Sequence, residues 1–367
     1  MNTYALIFLI SFFCAYLITP QIRKLAVHIN AIDMPDKRKI HAFPTPRLGG
    51  LAIFISFLAA LFAGMAINPK FQANINQEFW GFIIGAFIIV IIGIRDDIKT
   101  MGPLSKFLGQ LLAASVFLYF SPIYIPVFNI PFSDTDLYLS HQVSFIISLV
   151  WITGIINAIN FIDGLDGLAN GICFLASLTL FIINIHLSQF FIAFIYASVC
   201  GASLGFAKFN EYPAKIFLGD TGSLLWGYIL SCLGLMSTTK STTLSVMLIP
   251  LVTLGIPIFD VLIAIIRRSI AGENIFKADK KHIHHRLLQK GLTQQEAVRI
   301  LYIICVILCI ISFFIVNTRD EYASLIIIVL GLISFMLSKN LNLMWLPSRP
   351  DKNKNISCLP PDSPKKE

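Results

Sequence analysis

Long apolar runs alternate with short polar connections along the chain. Eleven runs stand out, at 3–22, 48–67, 79–95, 104–121, 141–158, 168–186, 189–207, 222–238, 243–266, 297–317 and 321–338. A helix of about twenty residues spans the roughly 30 Å hydrocarbon core of a bilayer. The pattern therefore predicts an all-α polytopic integral membrane protein with about eleven transmembrane helices. Residues 1–338 form its transmembrane domain, with the polar loops that carry chemistry. Residues 339–367 are polar and include Pro347, Pro350, Pro360, Pro361 and Pro364, and they read as a disordered tail. The stretch 121–140 holds Pro122, Pro126 and Pro131 among aromatics and reads as a short surface hairpin.

Composition agrees with the pattern. Of 367 residues, 56% are hydrophobic and 13% charged, where soluble domains run near about half and about a quarter. A soluble enzyme and a disulfide-stapled secreted module are excluded on that ground. Six of the seven cysteines lie inside apolar runs and no CxxC pair occurs, so no cysteine metal site or disulfide framework is indicated.

The net charge of +8 invites a nucleic-acid partner, but its distribution argues for topology instead. Of 28 lysines and arginines, only Lys70, Lys240 and Arg319 fall outside one set of alternating loops. That asymmetry places the basic loops and the C-terminus in the cytoplasm and the N-terminus outside. The first run has its basic residues, Arg23 and Lys24, behind it. It reads as an uncleaved anchor, not a signal peptide. With no basic soluble domain, no nucleic-acid partner is expected.

Acidic residues are scarce, 20 in all, and five of them sit at the predicted cytoplasmic ends of helices. Carboxylates near hydrocarbon are costly and usually functional. Asp96 and Asp97 end the third span in GIRDDIK, where two adjacent carboxylates need a cation or a proton between them. Asn160, Asp163 and Asp166 recur at a spacing of three in NAINFIDGLDGLANG, whose glycines suggest a turn. Oxygen ligands of this kind suit Mg²⁺, with Mn²⁺ as the alternative, rather than zinc. Asp220 lies in AKIFLGDTGS just before the eighth span, placed either to cap that helix or to hold a cation that bridges phosphate oxygens.

Two basic segments complete the picture. In DKKHIHHRLLQKG, helical spacing would put His282, His285, Arg286 and Gln289 on one face, with His284 beside them. Thr293 and Glu296 form a capping box for the next span. The first cytoplasmic loop, DKRKIHAFPTPRLGG, offers His41 and Arg47 as phosphate contacts. Asp260, in the ninth span, is the one carboxylate placed well inside hydrocarbon, and no role is assigned to it.

Taken together, HAFPTPRLGG, GIRDDIK, NAINFIDGLDGLA, AKIFLGDTGS and HIHHR resemble, in order, the polyprenyl-phosphate N-acetylhexosamine-1-phosphate transferases. The resemblance implies transfer of a sugar 1-phosphate from a UDP-sugar to a lipid phosphate, with release of UMP. It implies Asn160 and Asp220 as Mg²⁺ ligands and Asp96 with Asp97 as an acidic pair near the attacking phosphate. It also implies Lys106 as a phosphate contact, Asp166 and Phe217 as nucleobase contacts, and the HIHHR segment as a cover for diphosphate and sugar. Asp163 joins the catalytic set. HIHHR departs from the three successive histidines followed by Phe-Glu of muramoyl-pentapeptide transferases. That favours the branch using UDP-N-acetylglucosamine or a related UDP-HexNAc, with undecaprenyl phosphate as acceptor, in the inner membrane of a bacterium. The product would begin an O-antigen, teichoic acid or similar envelope glycan. A homodimer is compatible with this reading.

The chemistry suits these residues. Both reactants are anions, so a divalent cation and basic side chains must stabilise the transition state. A phosphate monoester is largely ionised at neutral pH, its second pKa being near about 6, so a general base is helpful but not essential. Direct displacement is the expected route, with a covalent intermediate at Asp97 or Asp163 as the alternative. A transporter would place its polar residues at mid-bilayer, on broken helices. A di-aspartyl protease needs two facing aspartates within spans.

Overall fold

The computed structural model describes residues 3–35, 43–121, 127–129, 136–238, 244–272, 282–318 and 320–340. It contains α1 (Thr3–His28), β1 (Ile32–Asp33), β2 (Thr45–Pro46), α2 (Gly49–Ile67), α3 (Pro69–Ala73), α4 (Gln77–Ile98) and α5 (Pro103–Phe120). There follow β3 (Val127–Asn129), β4 (Asp136–Tyr138), α6 (His141–Ile162), α7 (Leu168–His186), α8 (Phe190–Asn210) and α9 (Gly219–Thr238). The chain continues with α10 (Leu244–Thr253), α11 (Gly255–Ala271), α12 (Ile283–Gln289), α13 (Gln294–Ile315) and α14 (Asp320–Asn340). Among the described residues, eight helices are long and apolar enough to cross a membrane: α1, α2, α4, α5, α6, α7, α8 and α13. Their outward faces carry Phe13, Leu17, Ile91, Leu104, Ile146 and Ile303, all exposed. Such a surface belongs in lipid, where only helices with internally satisfied backbones are tolerated. The fold is an all-α polytopic membrane protein.

At the centre stands α9, packed on α2, α4 and α6. Every residue from Thr221 to Ser237 is buried. A helix apolar on all sides is a core helix, and α9 meets its neighbours by backbone. A Cβ on Gly50 would lie 2.1 Å from the Gly222 nitrogen, and one on Gly93 would lie 2.3 Å from the Thr221 Cα. Small residues let helices approach this closely in membranes, where packing rather than the hydrophobic effect holds them together.

One expected span is divided. The run 243–266 forms two helices, α10 and α11, that meet at Leu254. Pro257 has no N–H to donate, and its ring crowds the carbonyl four residues earlier, that of Thr253, so the helix restarts at Gly255. The predicted capping box at Thr293 and Glu296 is present at the start of α13. The hairpin expected over 121–140 is represented by β3 and β4, which pair antiparallel with Val127 opposite Tyr138. Of the tail expected from 339 onward, Lys339 and Asn340 instead close α14, while His41 and 341–367 lie outside the described residues.

Five helix termini that carry the polar motifs gather at one end of the bundle. They are the C-termini of α4 and α6 and the N-termini of α2, α5 and α9. A backbone seam ties them together: Phe217 donates its N–H to the Pro46 carbonyl at 2.8 Å. Gly49 and Gly50 donate to the carbonyls of Phe217 and Leu218, at 3.0 and 2.9 Å.

Candidate active site

Asp96 and Asp97 close α4, and neighbours on a helix point about 100° apart. The two carboxylates accordingly part company. Asp97 accepts from the Asp220 N–H at 2.9 Å, the Thr221 N–H at 3.0 Å and the Thr221 hydroxyl at 2.6 Å. These first-turn amides of α9 have no acceptor within their own helix. An anion is also favoured there by the helix dipole. Asp97 thus caps α9 from α4.

Asp96 turns the other way. It accepts from the Met101 N–H and from the Lys106 ammonium, the latter at 3.1 Å. Lys106 also pairs with Asp220 Oδ2 at 2.7 Å. The second Asp220 oxygen accepts from Asn160 Nδ2 at 2.6 Å, and the same nitrogen donates to the Ser223 hydroxyl at 2.8 Å. A continuous polar chain, Asp96–Lys106–Asp220–Asn160, therefore joins α4, α5, α9 and α6.

Beyond Asp220 opens a cavity of about 340 Å³. Its lining includes Asn160, Asp163, Asp220, Asp166, Asn210 and Phe217. Asp33, Arg47, His285 and Gln294 also face it. Asp96, Asp97 and Lys106 stand behind Asp220 and are not part of this lining. Asp163 follows the last turn of α6 and is half-buried in the lining. Burial, then the charges of Asp220 and Asp97, hold its carboxyl well above the usual carboxylate range, with Arg47 opposing them. Arg47 is ion-paired with Asp33 across the paired strands β1 and β2. Asp166 accepts the Ala214 N–H at 3.0 Å, which fixes the loop ahead of α9.

The HIHHR segment differs from its helical-wheel expectation. α12 begins at Ile283, so His282 is the N-cap, in extended conformation, and does not share a helical face with His285 and Arg286. His284 is buried, with its ring against Gly164, where a Cβ would lie 2.3 Å from Nε2. Burial, with His285 and His282 adding to it, pushes the His284 imidazole down to about 3, so it is neutral. His285 is the histidine of the three that reaches the cavity wall. Arg286 Nη1 donates to Gln289 at 3.1 Å, along the outer side. Asp260, to which the sequence assigned no role, meets the ring of His282.

Asp33, Asn210 and Gln294 line the cavity although the motifs did not single them out. Asp33 had one legible signal, an opposite charge 14 residues ahead of Arg47. Gln294 follows directly on the recognised cap at Thr293. Asn210 donates to the Ile216 carbonyl at 3.1 Å, a loop-closing bond with no sequence signature.

The donor set suits a hard cation. Both described hydrogen bonds of the Asn160 amide use its nitrogen, and its carbonyl oxygen has no described bond. Among the described residues no three His, Cys, Asp or Glu side chains gather as a cage. One or two oxygen side chains, completed by water and substrate phosphate, is the pattern magnesium adopts.

Comparison with known proteins converges on one family. Residues 79–238 match the sequence profile of glycosyl transferase family 4. The probable undecaprenyl-phosphate N-acetylglucosaminyl 1-phosphate transferase of Bacillus subtilis is 38% identical over 330 residues, covering 90% of this chain and 89% of that protein. The decaprenyl-phosphate N-acetylglucosaminephosphotransferase of Mycobacterium tuberculosis is 33% identical over 326 residues, 82% of this chain and 79% of that one. A phospho-N-acetylmuramoyl-pentapeptide-transferase of Clostridium perfringens is 29% identical over 316 residues, 83% and 95% of the two chains. The profile match takes in Asp96, Asp97, Lys106, Asn160, Asp163, Asp166, Phe217 and Asp220. With similarity running through nearly the whole chain and the shared segment holding the polar chain and most of the cavity, this protein belongs to glycosyl transferase family 4.

Proposed function

We propose that the protein transfers N-acetylglucosamine 1-phosphate from UDP-N-acetylglucosamine to undecaprenyl phosphate, releasing UMP. The observation that carries this is the chain Lys106–Asp220–Asn160, which connects the helix ends at one bundle face to a 340 Å³ polar cavity. The relatives named for N-acetylglucosamine phosphate transfer are more similar than the muramoyl-pentapeptide transferase, which supports the choice of donor. The muramoyl-pentapeptide donor is the second reading. On this proposal the chain crosses the inner membrane of a bacterium eleven times, with its N-terminus outside, and the cavity faces the cytoplasm. The positive-inside distribution supports that orientation.

In the reaction, an oxygen of the lipid phosphate attacks the sugar-bearing phosphorus of the donor. The bond from that phosphorus to the UMP oxygen breaks, and the electron pair leaves with UMP. Mg²⁺ held by Asp220 and Asn160 would supply charge neutralisation to the phosphate oxygens. Lys106, oriented by Asp96, offsets negative charge on the attacking side, and Arg47 offsets it within the cavity. Asp97 fixes the α9 terminus on which Asp220 stands. Asp166 and Phe217 are suited to the nucleobase, and His285 covers diphosphate and sugar, with Arg286 beside it on the outer side of α12. The attacking phosphate is already an anion at neutral pH, so direct displacement needs no obligatory base.

The test is turnover by the full chain in detergent, with UDP-N-acetylglucosamine, undecaprenyl phosphate and Mg²⁺, read as UMP release and lipid-linked product. Loss of turnover in Asp220→Asn and on chelation would support the metal role. Turnover with the muramoyl-pentapeptide donor alone would replace the donor but keep the reaction. No turnover with any UDP-sugar by folded protein would overturn the proposal.

A further inference from the structure

Asp260 stands outside the polar chain and outside the cavity, yet its surroundings are built. It lies on α11, 4% exposed, and its two carboxylate oxygens serve different partners. Oδ2 meets His282 Nδ1 at 2.7 Å, and Oδ1 accepts the Ile283 N–H at 2.9 Å. His282 is itself 5% exposed, and its ring stacks on Phe161 with centroids 5.5 Å apart and planes inclined by 19°. Phe161 belongs to the last turn of α6, one residue from Asn160. The His282 side chain gives α12 no cap of its own. The first amide of that short helix is satisfied by Asp260 alone among the described bonds.

We propose that Asp260 is a positioning residue: its carboxylate grips the His282 ring and the Ile283 amide, seating α12 on the site so that His285 is presented to the cavity. The proposal rests on the donor-binding reading above for its kinetic consequence, but not for its structural one. A seven-residue helix is too short to be stable by itself. Its placement depends on what holds its ends. Buried His284 against Gly164 supplies one contact, to the loop that carries Asp163 and Asp166. Leu287 packs into the core, and Asp260 holds the N-terminal end through the Ile283 amide and the His282 ring. The carboxylate takes the Nδ1 proton of His282 as a hydrogen bond and so fixes the ring's orientation against Phe161, as outer carboxylates orient histidines elsewhere.

Two substitutions separate the two grips. Asp260→Asn removes the charge and one of the two acceptors. Ile283→Pro removes the amide donor at the first helical position, where proline is tolerated. The extended His282, at φ −64° and ψ 157°, already has the backbone that precedes a proline. Both variants are made in the full chain in detergent.

The first measurement is hydrogen exchange. Loss of a bond to a charged group predicts exchange of the α12 amides about tenfold or more faster in Asp260→Asn, with interior amides of α13 unchanged. The second measurement is steady-state kinetics. The KM for UDP-N-acetylglucosamine should rise about tenfold while that for undecaprenyl phosphate stays within about twofold. In a double-mutant cycle, Asp260→Asn should add little to His285→Ala, since both remove the same presented ring.

Exchange of α12 within about twofold of the parent in both variants would overturn the anchoring. So would an equal rise in both KM values, or full additivity with His285→Ala. If Asp260→Asn fails to fold, Ile283→Pro decides by the same readouts. If the parent protein turns over no UDP-sugar, the proposed activity falls, and exchange still decides whether Asp260 seats α12.

Discussion

His284 offers a pH-dependent stability that is calculable from its setting. It is 1% exposed and its imidazole sits near about 3 in the folded protein. In the unfolded chain a histidine titrates near about 6.5. Below that value the unfolded chain takes up a proton that the native state refuses, so native stability falls with acidification. The loss is about 1.4 kcal/mol for each pH unit below about 6.5, which gives roughly 2 kcal/mol at pH 5. It continues until pH reaches the folded value. The perturbation is His284→Gln, which keeps a polar side chain of similar reach but cannot take the proton. The assay is equilibrium unfolding in mixed detergent micelles at pH 7.5 and pH 5.0, for parent and variant. Other groups titrate as well, so the informative quantity is the difference between the two proteins' pH responses. The parent should lose about 2 kcal/mol more than the variant over this window. Equal losses would show that native His284 accepts the proton, and would refute its burial as a neutral ring against Gly164.

Three further outcomes follow from the geometry. Asp97→Asn should lower stability by roughly 1.5–3 kcal/mol along with turnover, because the carboxylate accepts three bonds at the α9 terminus; unchanged melting with lost turnover would assign Asp97 a purely chemical part. Asp163→Asn should be more stable than the parent in metal-free buffer at pH 7.5, by a margin that shrinks toward pH 4, while turnover is lost. The reason is that the native carboxyl holds its proton above the unfolded value, so ionisation weakens the fold as pH rises through that window; a pH-independent margin would contradict it. Gly50→Ala should yield little folded protein, since its Cβ would meet the Gly222 backbone at 2.1 Å. Gly154→Ala, with open space around it in α6, should be neutral or stabilising by up to about 1 kcal/mol; thermal melting of the two variants side by side checks this contrast.

Much of this molecule could be read along the chain. Apolar runs of bilayer length announced the helices, and the polar motifs at their ends supplied residues that the structure gathers at one end of the bundle, because both signals are local. Asn160 and Asp220 are 60 residues apart yet within hydrogen-bond distance. Their pairing was implied only through the resemblance, not through spacing. The division at Leu254 was legible in Gly255 and Pro257, but the apolar run passed over it. Where the reading fell short, the cause was tertiary. Asp96 and Asp97 look like a pair in sequence, and the helical rotation sends one to Lys106 and the other to α9. The histidines look equivalent in HIHHR, and packing gives each a different environment. Asp260 had no assignable role in the sequence because its partner, His282, lies 22 residues away.

The backbone contacts of α9 have a consequence for how such a site can vary. Gly50 against Gly222 and Gly93 against Thr221 leave no volume for even one added methyl group. The floor that carries Asp220 is therefore a fixed template, and changes there are answered by loss of the fold. The part of the lining formed by His285 and Gln294 comes from side chains on α12 and the first turn of α13, where size and polarity can be exchanged without moving a helix axis. On the proposed function, this part of the lining is where the fit to the donor is open to change while the α9 platform stays in place.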